Sequence, residues 1–270
     1  MKPFKDKVVV VTGGASGIGA AICAKFGNEG AKIGILDFDK KNLALMEKKL
    51  RDAGIDAYGR FCDVTSQQQC DTAIKAILTR FGGIDILVNN AGITQRSTFL
   101  NTDLAVYRRI MDVNFFGTLH CTKPALHSLI ERKGMIIVTT SIAGIAPLYG
   151  RTGYSASKHA LHGFFESLRT ELADNGVHVM MLCPGFTVTN LQSRALDGKG
   201  RLNKDERSMV GKQVSPESVA DAVYEGAIKR KPSLILTPVG KLTWIITRIA
   251  PSLYEKQMAK KIKPEFVKNT

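Results

Sequence analysis

Apolar runs and amphipathic stretches alternate along most of the chain. The first run, "KVVVVT" at 7–12, is rich in β-branched residues and is typical of a strand buried on both faces. The pattern predicts strands at 7–12, 32–37, 56–64, 85–92, 134–141, 177–185 and 233–238, and helices at 17–30, 40–54, 67–82, 101–132 and 152–174. Strands and helices that alternate through short connections indicate an α/β fold, a doubly wound parallel sheet of about seven strands with helices on both faces.

The chain is predicted to form a single domain over residues 1–270. It is 44% hydrophobic, which is enough for one large core, and no repeat or low-complexity linker divides it. An insertion at about 187–213 is polar and contains glycine, so it fits either a lid over a substrate or a solvated surface loop.

A basic, amphipathic appendage is predicted at about 240–270. Its apolar residues recur at helical spacing: Leu242, Ile245, Ile246, Ile249 and Leu253. Pro251 should break or kink this helix. We favour packing of the appendage on the domain or on another subunit, and the alternative is contact with an anionic membrane surface.

Charge and cysteine content exclude several classes of function. The net charge of +14 is weighted towards the C-terminal end, yet no Arg-rich arm or DNA-binding motif accompanies it, so we expect no nucleic-acid partner. No stretch approaches the ~20 apolar residues of a membrane span, and we expect a cytoplasmic protein, at most peripheral at a membrane surface. The five cysteines and five histidines lack metal-ligand spacing, which predicts reduced, buried thiols and no metal site.

The turn after the first strand, "TGGASGIG" at 12–19, is rich in glycine. It places Gly13, Gly17 and Gly19 between a strand and a helix. Glycine permits a tight turn and lets backbone N–H groups approach a phosphate, while the helix N-terminus adds partial positive charge. The spacing G-x-x-x-G-x-G differs from the more common G-x-G-x-x-G, but the position is that of a dinucleotide-binding turn. We therefore predict a Rossmann-type, nucleotide-binding sheet.

Acidic residues end the second and third predicted strands. Asp37 follows Gly19 by 18 residues, where it can accept hydrogen bonds from the adenine ribose and would repel the 2′-phosphate of NADP. No Arg or Lys in the glycine turn offers to bind that phosphate, so NAD is favoured and NADP is the less favoured alternative. Asp63 is placed either to face the adenine or to be solvated at the end of its strand.

A phenol and an amine lie one helical turn apart in "GYSASKHAL", as Tyr154 and Lys158. A free phenol has a pKa near ~10 and is a poor base at neutral pH, but a neighbouring positive charge lowers that pKa. A tyrosine adjusted in this way can take a proton from an alcohol or give one to a carbonyl. The alternative is an ordinary helix face.

Six motifs together resemble the short-chain dehydrogenase/reductase family, in particular its hydroxysteroid and retinol dehydrogenase-like members. They come in that family's order: "TGGASGIG" at 12–19, "NNAG" at 89–92, "VNFFG" at 113–117, Ser141, "YSASK" at 154–158 and "PG" at 184–185. The resemblance covers about residues 5–190, and it favours the lid for the insertion at about 187–213.

The resemblance implies a catalytic tetrad. Tyr154 would be the general acid/base, and Lys158 would lower its pKa and bind the nicotinamide ribose. Ser141 would hydrogen-bond the substrate oxygen, and Asn114 would hold a water that links Lys158 to solvent.

The resemblance and the glycine turn together give a set of site residues. Those predicted to bind the cofactor, with Tyr154 and Lys158, are Gly13, Ser16, Gly17, Ile18, Gly19, Asp37, Asp63, Val64, Asn90, Ala91, Gly92, Pro184, Gly185, Thr187 and Thr189. Those predicted to face the substrate are Ile93, Ser141, Ile142, Leu148, Tyr149 and Phe186. This second set is largely apolar and has no Arg placed for a carboxylate, which favours a hydrophobic alcohol or ketone.

These observations predict an NAD-dependent oxidoreductase that transfers a hydride between a hydrophobic secondary alcohol, or its ketone, and the nicotinamide. One alternative is an NADP-dependent carbonyl or 3-oxoacyl reductase. Another is a dinucleotide-binding adaptor that no longer catalyses. The resemblance also implies a homodimer or homotetramer, because 101–132 and 152–174 match helices that pair in family oligomers.

Overall fold

The computed structural model describes residues 2–189, 191, 193–203 and 213–267. The strands within them are β1 (Val8–Thr12), β2 (Lys32–Asp37), β3 (Ala57–Phe61), β4 (Ile86–Asn89), β5 (Met135–Thr139), β6 (His178–Cys183) and β7 (Ser233–Ile235). In this part of the chain they form a seven-stranded sheet in the order β3-β2-β1-β4-β5-β6-β7, and every pairing is parallel. The predicted fold class is confirmed.

Helices cover both faces of the sheet. Their bounds are α1 (Gly17–Asn28), α2 (Lys40–Asp52), α3 (Gln67–Phe81), α4 (Leu104–Met111), α5 (Gly117–Glu131), α6 (Thr152–Glu171), α7 (Pro216–Ile228), α8 (Pro238–Ile249), α9 (Pro251–Ile262) and α10 (Pro264–Val267). The sequence pattern did not assign α7. Its apolar face, including Val223, is buried against the sheet.

The alternation of side chains along β1 divides the core into two layers. Val9 and Val11 pack with residues of α1, α2 and α7, whereas Val8 and Val10 pack with residues of α3, α5 and α6. Because successive side chains of a strand point to opposite faces, one continuous β-branched run supplies both layers. This is the physical reason why the stretch from Val8 to Val11 has no polar position.

The helical stretch predicted at 101–132 runs from Leu104 to Glu131 and contains a π-helical turn. α4 ends at Met111, a π-helical turn covers Asp112–Phe116, and α5 begins at Gly117. A π-turn holds one residue more than an α-turn and often marks a functional site. Here it contains Asn114, whose side chain is fully buried.

The appendage forms three helices that return to the sheet. The break expected at Pro251 is confirmed, because α8 ends at Ile249 and α9 begins at Pro251. α8 packs closely on the segment after β5, since a side chain on Gly240 would clash with Ile142. In the part of the chain that the structure describes, no helix is long and apolar enough to cross a membrane.

The insertion predicted as a lid, at about 187–213, lies partly outside the described residues, which omit 190, 192 and 204–212. Its described part is tied to the domain by isolated bridges. Leu196 pairs with Gln95 and with Leu202, and Thr187 pairs with Val214.

Candidate active site

A cavity of about 1230 Å³ lies at the carboxyl ends of the parallel strands. Its floor is formed where β1 has β2 on one side and β4 on the other, so that the chain order of the strands reverses. Open α/β sheets bind ligands at such a switch point, because the loops that follow the neighbouring strands leave in opposite directions. The cavity has a polar end at the glycine turn and an apolar end beneath α8 and α9.

The glycine turn has the backbone shape that its sequence predicts. Gly13 and Gly17 have φ values of 62° and 54°, in the left-handed region that favours glycine. A side chain on Gly19 would clash with the carbonyl oxygen of Gly13, so the first turn of α1 lies directly on the loop. Thr189 closes over Gly17 from the opposite wall, because a Cβ built on Gly17 would be 3.1 Å from the Thr189 methyl group.

Thr12 and Asn90 hold this turn against the end of β4. The hydroxyl of Thr12 accepts from the backbone N–H groups of Asn90, at 2.9 Å, and Ala91, at 3.0 Å. The amide of Asn90 donates back to the carbonyls of Thr12 and Gly13. The "NNAG" motif therefore shapes the turn as well as lining the cavity.

Asp37 is buried at the end of β2 and also faces the cavity. One carboxylate oxygen accepts from the Ala15 N–H at 3.0 Å and the other from the Asp39 N–H at 3.0 Å. Each oxygen retains acceptor capacity for a ribose hydroxyl. Asp63 is more exposed to the cavity, with one oxygen bonded to both the backbone and the hydroxyl of Thr65.

Ser141, Tyr154 and Lys158 meet on the cavity wall. Tyr154 and Lys158 lie in α6, and the Lys158 Nζ is 5.7 Å from the centroid of the Tyr154 ring. Ser141 follows β5, and its hydroxyl accepts from the Ala143 N–H at 3.1 Å. Lys158 Nζ donates to the carbonyl of Thr139 at 2.8 Å.

Burial dominates the pKa values of this group. The pKa of Tyr154 is raised by burial, while the hydrogen bond with Ser141 and the charge of Arg151 act in the opposite direction. In this structure loss of hydration outweighs the favourable charges, and the role of Lys158 in lowering the pKa of Tyr154 stays a prediction. Burial also lowers the pKa of Lys158 to about 8.

Asn114 lies behind the cavity wall, and its side chain clamps Ile93. Its Oδ1 accepts from the Ile93 N–H at 2.8 Å, and its Nδ2 donates to the Ile93 carbonyl and to the Ser157 hydroxyl. A Cβ built on Gly92 would be 3.1 Å from Asn114 Oδ1 and 3.6 Å from Lys158 Nζ. The absence of a side chain at Gly92 therefore leaves a gap between the two groups.

The structure brings most of the predicted site residues to this cavity. Every predicted substrate residue lines it, and so does every predicted cofactor residue except Gly19. Gly19 and Asn114 lie behind the lining and shape it from there.

The C-terminal helices supply much of the apolar end of the cavity. The sequence did not assign any of their residues to the substrate site. They contribute Leu242, Thr243, Ile246, Tyr254, Met258 and Ile262 to the lining. Tyr254 donates to the carbonyl of Pro147, and the Tyr149 N–H contacts the Met258 sulfur at 3.2 Å. The helical spacing of apolar residues was the available signal, but it does not say which surface they cover.

A buried ionic cluster fastens α10 beside the N-terminus of α6. Glu265 Oε1 accepts from Arg96 Nε at 2.9 Å and from Arg151 Nη2 at 3.1 Å, and all three side chains are less than 10% exposed. Arg151 immediately precedes α6, and Phe266 packs on Tyr149 with ring centroids 5.5 Å apart. The last described helix, α10, is thus attached at Arg151, which lies two residues before Gly153 and three before Tyr154.

Comparisons with known proteins agree with this geometry. The sequence model of the short chain dehydrogenase family matches residues 7–200. The Danio rerio protein named dehydrogenase/reductase SDR family member 7B is 31% identical over 274 residues, covering 97% of this chain and 87% of its own length. The Mus musculus protein of the same name is 34% identical, with 97% and 83% covered.

A solved structure has the same architecture. It is a short chain dehydrogenase/reductase from Burkholderia phymatum in complex with NAD, with a TM-score of 0.84 and 25% identity, and the match covers 94% of this chain and 96% of that one. The family match, the curated relatives and the shared fold lead to one conclusion. The chain belongs to the short-chain dehydrogenase/reductase family and is an oxidoreductase that acts on CH–OH groups.

Proposed function

We propose that the protein transfers a hydride between a hydrophobic secondary alcohol, or the corresponding ketone, and NAD. The observation that carries this proposal is the position of Ser141, Tyr154 and Lys158 between a glycine turn and an apolar compartment of the same cavity. The left-handed glycines and Asp37 fit a dinucleotide, which when bound supplies or accepts the hydride. The protein's part is to position the substrate oxygen and to move one proton.

Tyr154 is the proton donor and acceptor in this proposal, and Ser141 holds the substrate oxygen beside it. Because burial raises the pKa of Tyr154, the phenol is protonated at neutral pH and is ready to protonate a ketone oxygen. Alcohol oxidation requires the phenolate instead. We therefore expect the rate of alcohol oxidation to increase with pH, and the rate of ketone reduction to decrease at high pH.

Lys158 and Asn114 form the route by which the proton reaches solvent. The gap at Gly92 lies between Lys158 Nζ and Asn114 Oδ1 and is bounded by polar atoms on both sides, so it suits a relay water. Gly92→Ala should fill it and slow proton transfer. The solvent isotope effect on turnover should then increase, and an unchanged isotope effect would rule out a relay at this point.

Substitution of Tyr154 by Phe tests the catalytic role. Loss of a positioned acid/base group costs about 10²–10⁴-fold in rate, and we expect Tyr154→Phe to lose turnover while retaining dinucleotide affinity. The matched control is Tyr107→Phe, which removes a phenol bonded to Thr152 at the start of the same helix. Equal activity of Tyr154→Phe and wild type on a panel of secondary alcohols and ketones would refute the proposal.

Cofactor choice rests on two residues of opposite charge. Asp37 supports NAD because its buried carboxylate faces the cavity. Arg194 also lines the cavity, 3.8 Å from Asp39, and is the basic group that the NADP-dependent alternative would use. Asp37→Ala should shift the ratio of NAD to NADP affinity towards NADP, and Arg194→Ala should leave NAD affinity unchanged. A wild-type preference for NADP that is lost in Arg194→Ala would support the alternative.

Substrate class separates the remaining alternatives. An apolar compartment walled by α8 and α9 supports a hydrophobic alcohol or ketone over a short polar one. A carbonyl or 3-oxoacyl reductase should turn over ketones or 3-oxoacyl esters with NADPH faster than any alcohol with NAD. A non-catalytic adaptor should bind the dinucleotide with no turnover in either direction, which the presence of all four tetrad residues argues against.

We infer one catalytic domain that assembles as a homodimer or homotetramer. The support is an apolar surface on the helices that are predicted to pair between subunits. Leu104 of α4, Phe116 of the π-turn and Phe164 of α6 are exposed there. Light scattering coupled to size-exclusion chromatography should give two or four chains per particle, and Phe164→Glu should reduce that number. A monomeric wild type at micromolar concentration would contradict the assembly.

We also propose that the protein is cytoplasmic and peripheral, and that the outer face of its C-terminal helices contacts an anionic membrane surface. Ile245, Ile249 and Leu253 are exposed there, and Arg248 lies 4.3 Å from the Trp244 ring. Apolar side chains beside cationic ones match the boundary between acyl chains and anionic headgroups. In a flotation assay, the protein should float with vesicles that contain phosphatidylserine, and the Ile249→Asp variant should not. Equal recovery with neutral vesicles would contradict the electrostatic part.

A further inference from the structure

Three cysteines that are far apart in sequence meet at one point behind the cofactor end of the cavity. Cys62 follows β3, Cys70 lies in α3 and Cys121 lies in α5. Their sulfur atoms lie within 4.8 Å of one another, and those of Cys62 and Cys70 are 3.7 Å apart. All three are buried, and Cys62 also lines the cavity. Their spacing along the chain gives no indication of this contact.

The sulfur positions agree with metal ligation better than with a disulfide. Zn–S bonds of about 2.3 Å in a tetrahedral site put two sulfur atoms about 3.8 Å apart, which matches the separation of Cys62 and Cys70. A disulfide needs about 2.05 Å between sulfur atoms. We propose that Cys62, Cys70 and Cys121 form a site for a thiophilic cation of the Zn²⁺ class, in the wall of the cavity.

The donor set selects the class of cation. Thiolates favour Zn²⁺, Cd²⁺ and Cu⁺ over Mg²⁺ and Ca²⁺, which prefer oxygen ligands. Binding releases thiol protons, because the thiolate is the ligand. Cys62 opens to the cavity, so the cation enters from there and a solvent oxygen completes its coordination.

The same segment forms part of the cofactor end. The Cys62 N–H donates to the Asp37 carbonyl at 2.9 Å, and the next two residues, Asp63 and Val64, line the cavity. A cation that fixes Cys62 therefore fixes the backbone on which the dinucleotide would lie. Coupling of this kind is reciprocal, so the cation should change dinucleotide affinity and the dinucleotide should change cation affinity by the same factor. This linkage, unlike the cation site itself, rests on the proposed function.

Cadmium is a direct probe, because Cd²⁺–thiolate bonds absorb in the ultraviolet and bonds to carboxylate or imidazole do not. Reduced, metal-free full-length protein should develop this band and saturate at one Cd²⁺ per chain. Cys70→Ala and Cys121→Ala should lose most of the band. Cys23→Ala is the matched control, because Cys23 is a buried thiol on the opposite face of the sheet, and it should retain the band.

Several outcomes would overturn the site. The wild type could lack the band, the band could survive in both cluster variants, or Cys23→Ala could weaken it equally. If a cluster variant does not fold, the wild type alone decides through competition: Cd²⁺ added to protein loaded with one Zn²⁺ per chain should release that Zn²⁺ and develop the band, because thiolates bind the softer Cd²⁺ more tightly, and Zn²⁺ that stays bound with no band would overturn the site. Failure of dinucleotide binding would refute the proposed function but leave the cadmium result unaffected, whereas equal NAD affinity with and without Zn²⁺ would refute the linkage alone.

Discussion

The two ends of the cavity are built in different ways. At the dinucleotide end, Thr12, Asp37 and Asn90 lie at the ends of neighbouring strands and hold the glycine turn by hydrogen bonds between side chains and the backbone. At the substrate end, the wall is formed by helices from the last thirty described residues, which pack on the segments that follow β4 and β5 and attach at Glu265. The first end is rigid because the sheet makes it, and the second depends on how a remote segment docks.

This difference predicts where change is tolerated. A parallel sheet fixes its carboxyl edge through many buried contacts, so single substitutions there act through close steric clashes. The docked helices are held by a few contacts, so loss of one of them affects the whole wall. Cofactor affinity and substrate turnover should therefore respond separately to substitutions at the two ends.

The largest effect is expected from Glu265→Ala. Removal of one partner from a buried ion pair costs about 3–5 kcal/mol, because the remaining charges lose their compensation. Arg96 and Arg151 would be left buried without that carboxylate. Thermal unfolding should show the loss of stability, and turnover should fall while dinucleotide affinity is retained. Glu255→Ala, at an exposed position of α9, is the control; an equal loss of NAD affinity and turnover in Glu265→Ala would remove the distinction between the two ends.

A smaller, pH-dependent effect on stability is expected at Lys158, where the two ends of the cavity meet. Burial lowers its pKa from 10.5 to about 8, so between these values the folded protein binds fewer protons than the unfolded chain, and stability from this group rises with pH. Below pH 8 the buried side chain of Lys158 is charged, and it lowers the free energy of unfolding. Relative to Lys158→Met, the wild type should gain on the order of 3 kcal/mol between neutral pH and pH 10.5.

Chemical unfolding of both proteins across this pH range measures the gap directly. Lys48→Met, which removes an exposed lysine, controls for the loss of one positive charge. A gap that does not change with pH would mean that Lys158 is hydrated in the folded protein.

The smallest effect concerns the packing of the glycine turn. Gly19→Ala would place a methyl group on the Gly13 carbonyl, and overpacking of this kind costs about 1–3 kcal/mol. Gly163→Ala is the matched helical glycine, with open space around it, and should gain up to about 1 kcal/mol from helix propensity. Isothermal titration with NAD should show weaker binding only for Gly19→Ala. Equal stability of the two variants would show that the turn can relax.

The sheet and the dinucleotide end could be predicted because their signals are local. Buried parallel strands have continuous apolar runs, and a glycine in the left-handed region has few substitutes, so Gly13 and Gly17 are visible in the sequence. The Tyr154 and Lys158 pair is visible for the same reason, because helical periodicity alone places both on one face. The catalytic roles of these residues stay a prediction.

The remaining features depend on contacts between distant parts of the chain. Glu265 is 169 residues from Arg96, and no periodicity relates them. Of the three clustered cysteines, one follows β3 and the others lie in α3 and α5, so only the tertiary fold brings them together. The sequence shows the charge of Lys158 one helical turn from Tyr154 but not the depth of burial, which raises the pKa of Tyr154.

The number of residues in the π-helical turn at Asp112–Phe116 has a structural consequence. It holds one residue more than a regular turn, and each residue of an α-helix advances by about 100° around the axis. Five π-helical residues therefore advance the chain about as far around the axis as four α-helical ones, and deleting one residue there should restore a regular α-helix, keep Cys121 and Leu129 in the core and remove the bulge that contains Asn114. The extra residue thus shapes the backbone around Asn114 and not the packing of the core, so a deletion there should cost the position of one buried amide and little of the stability of the fold.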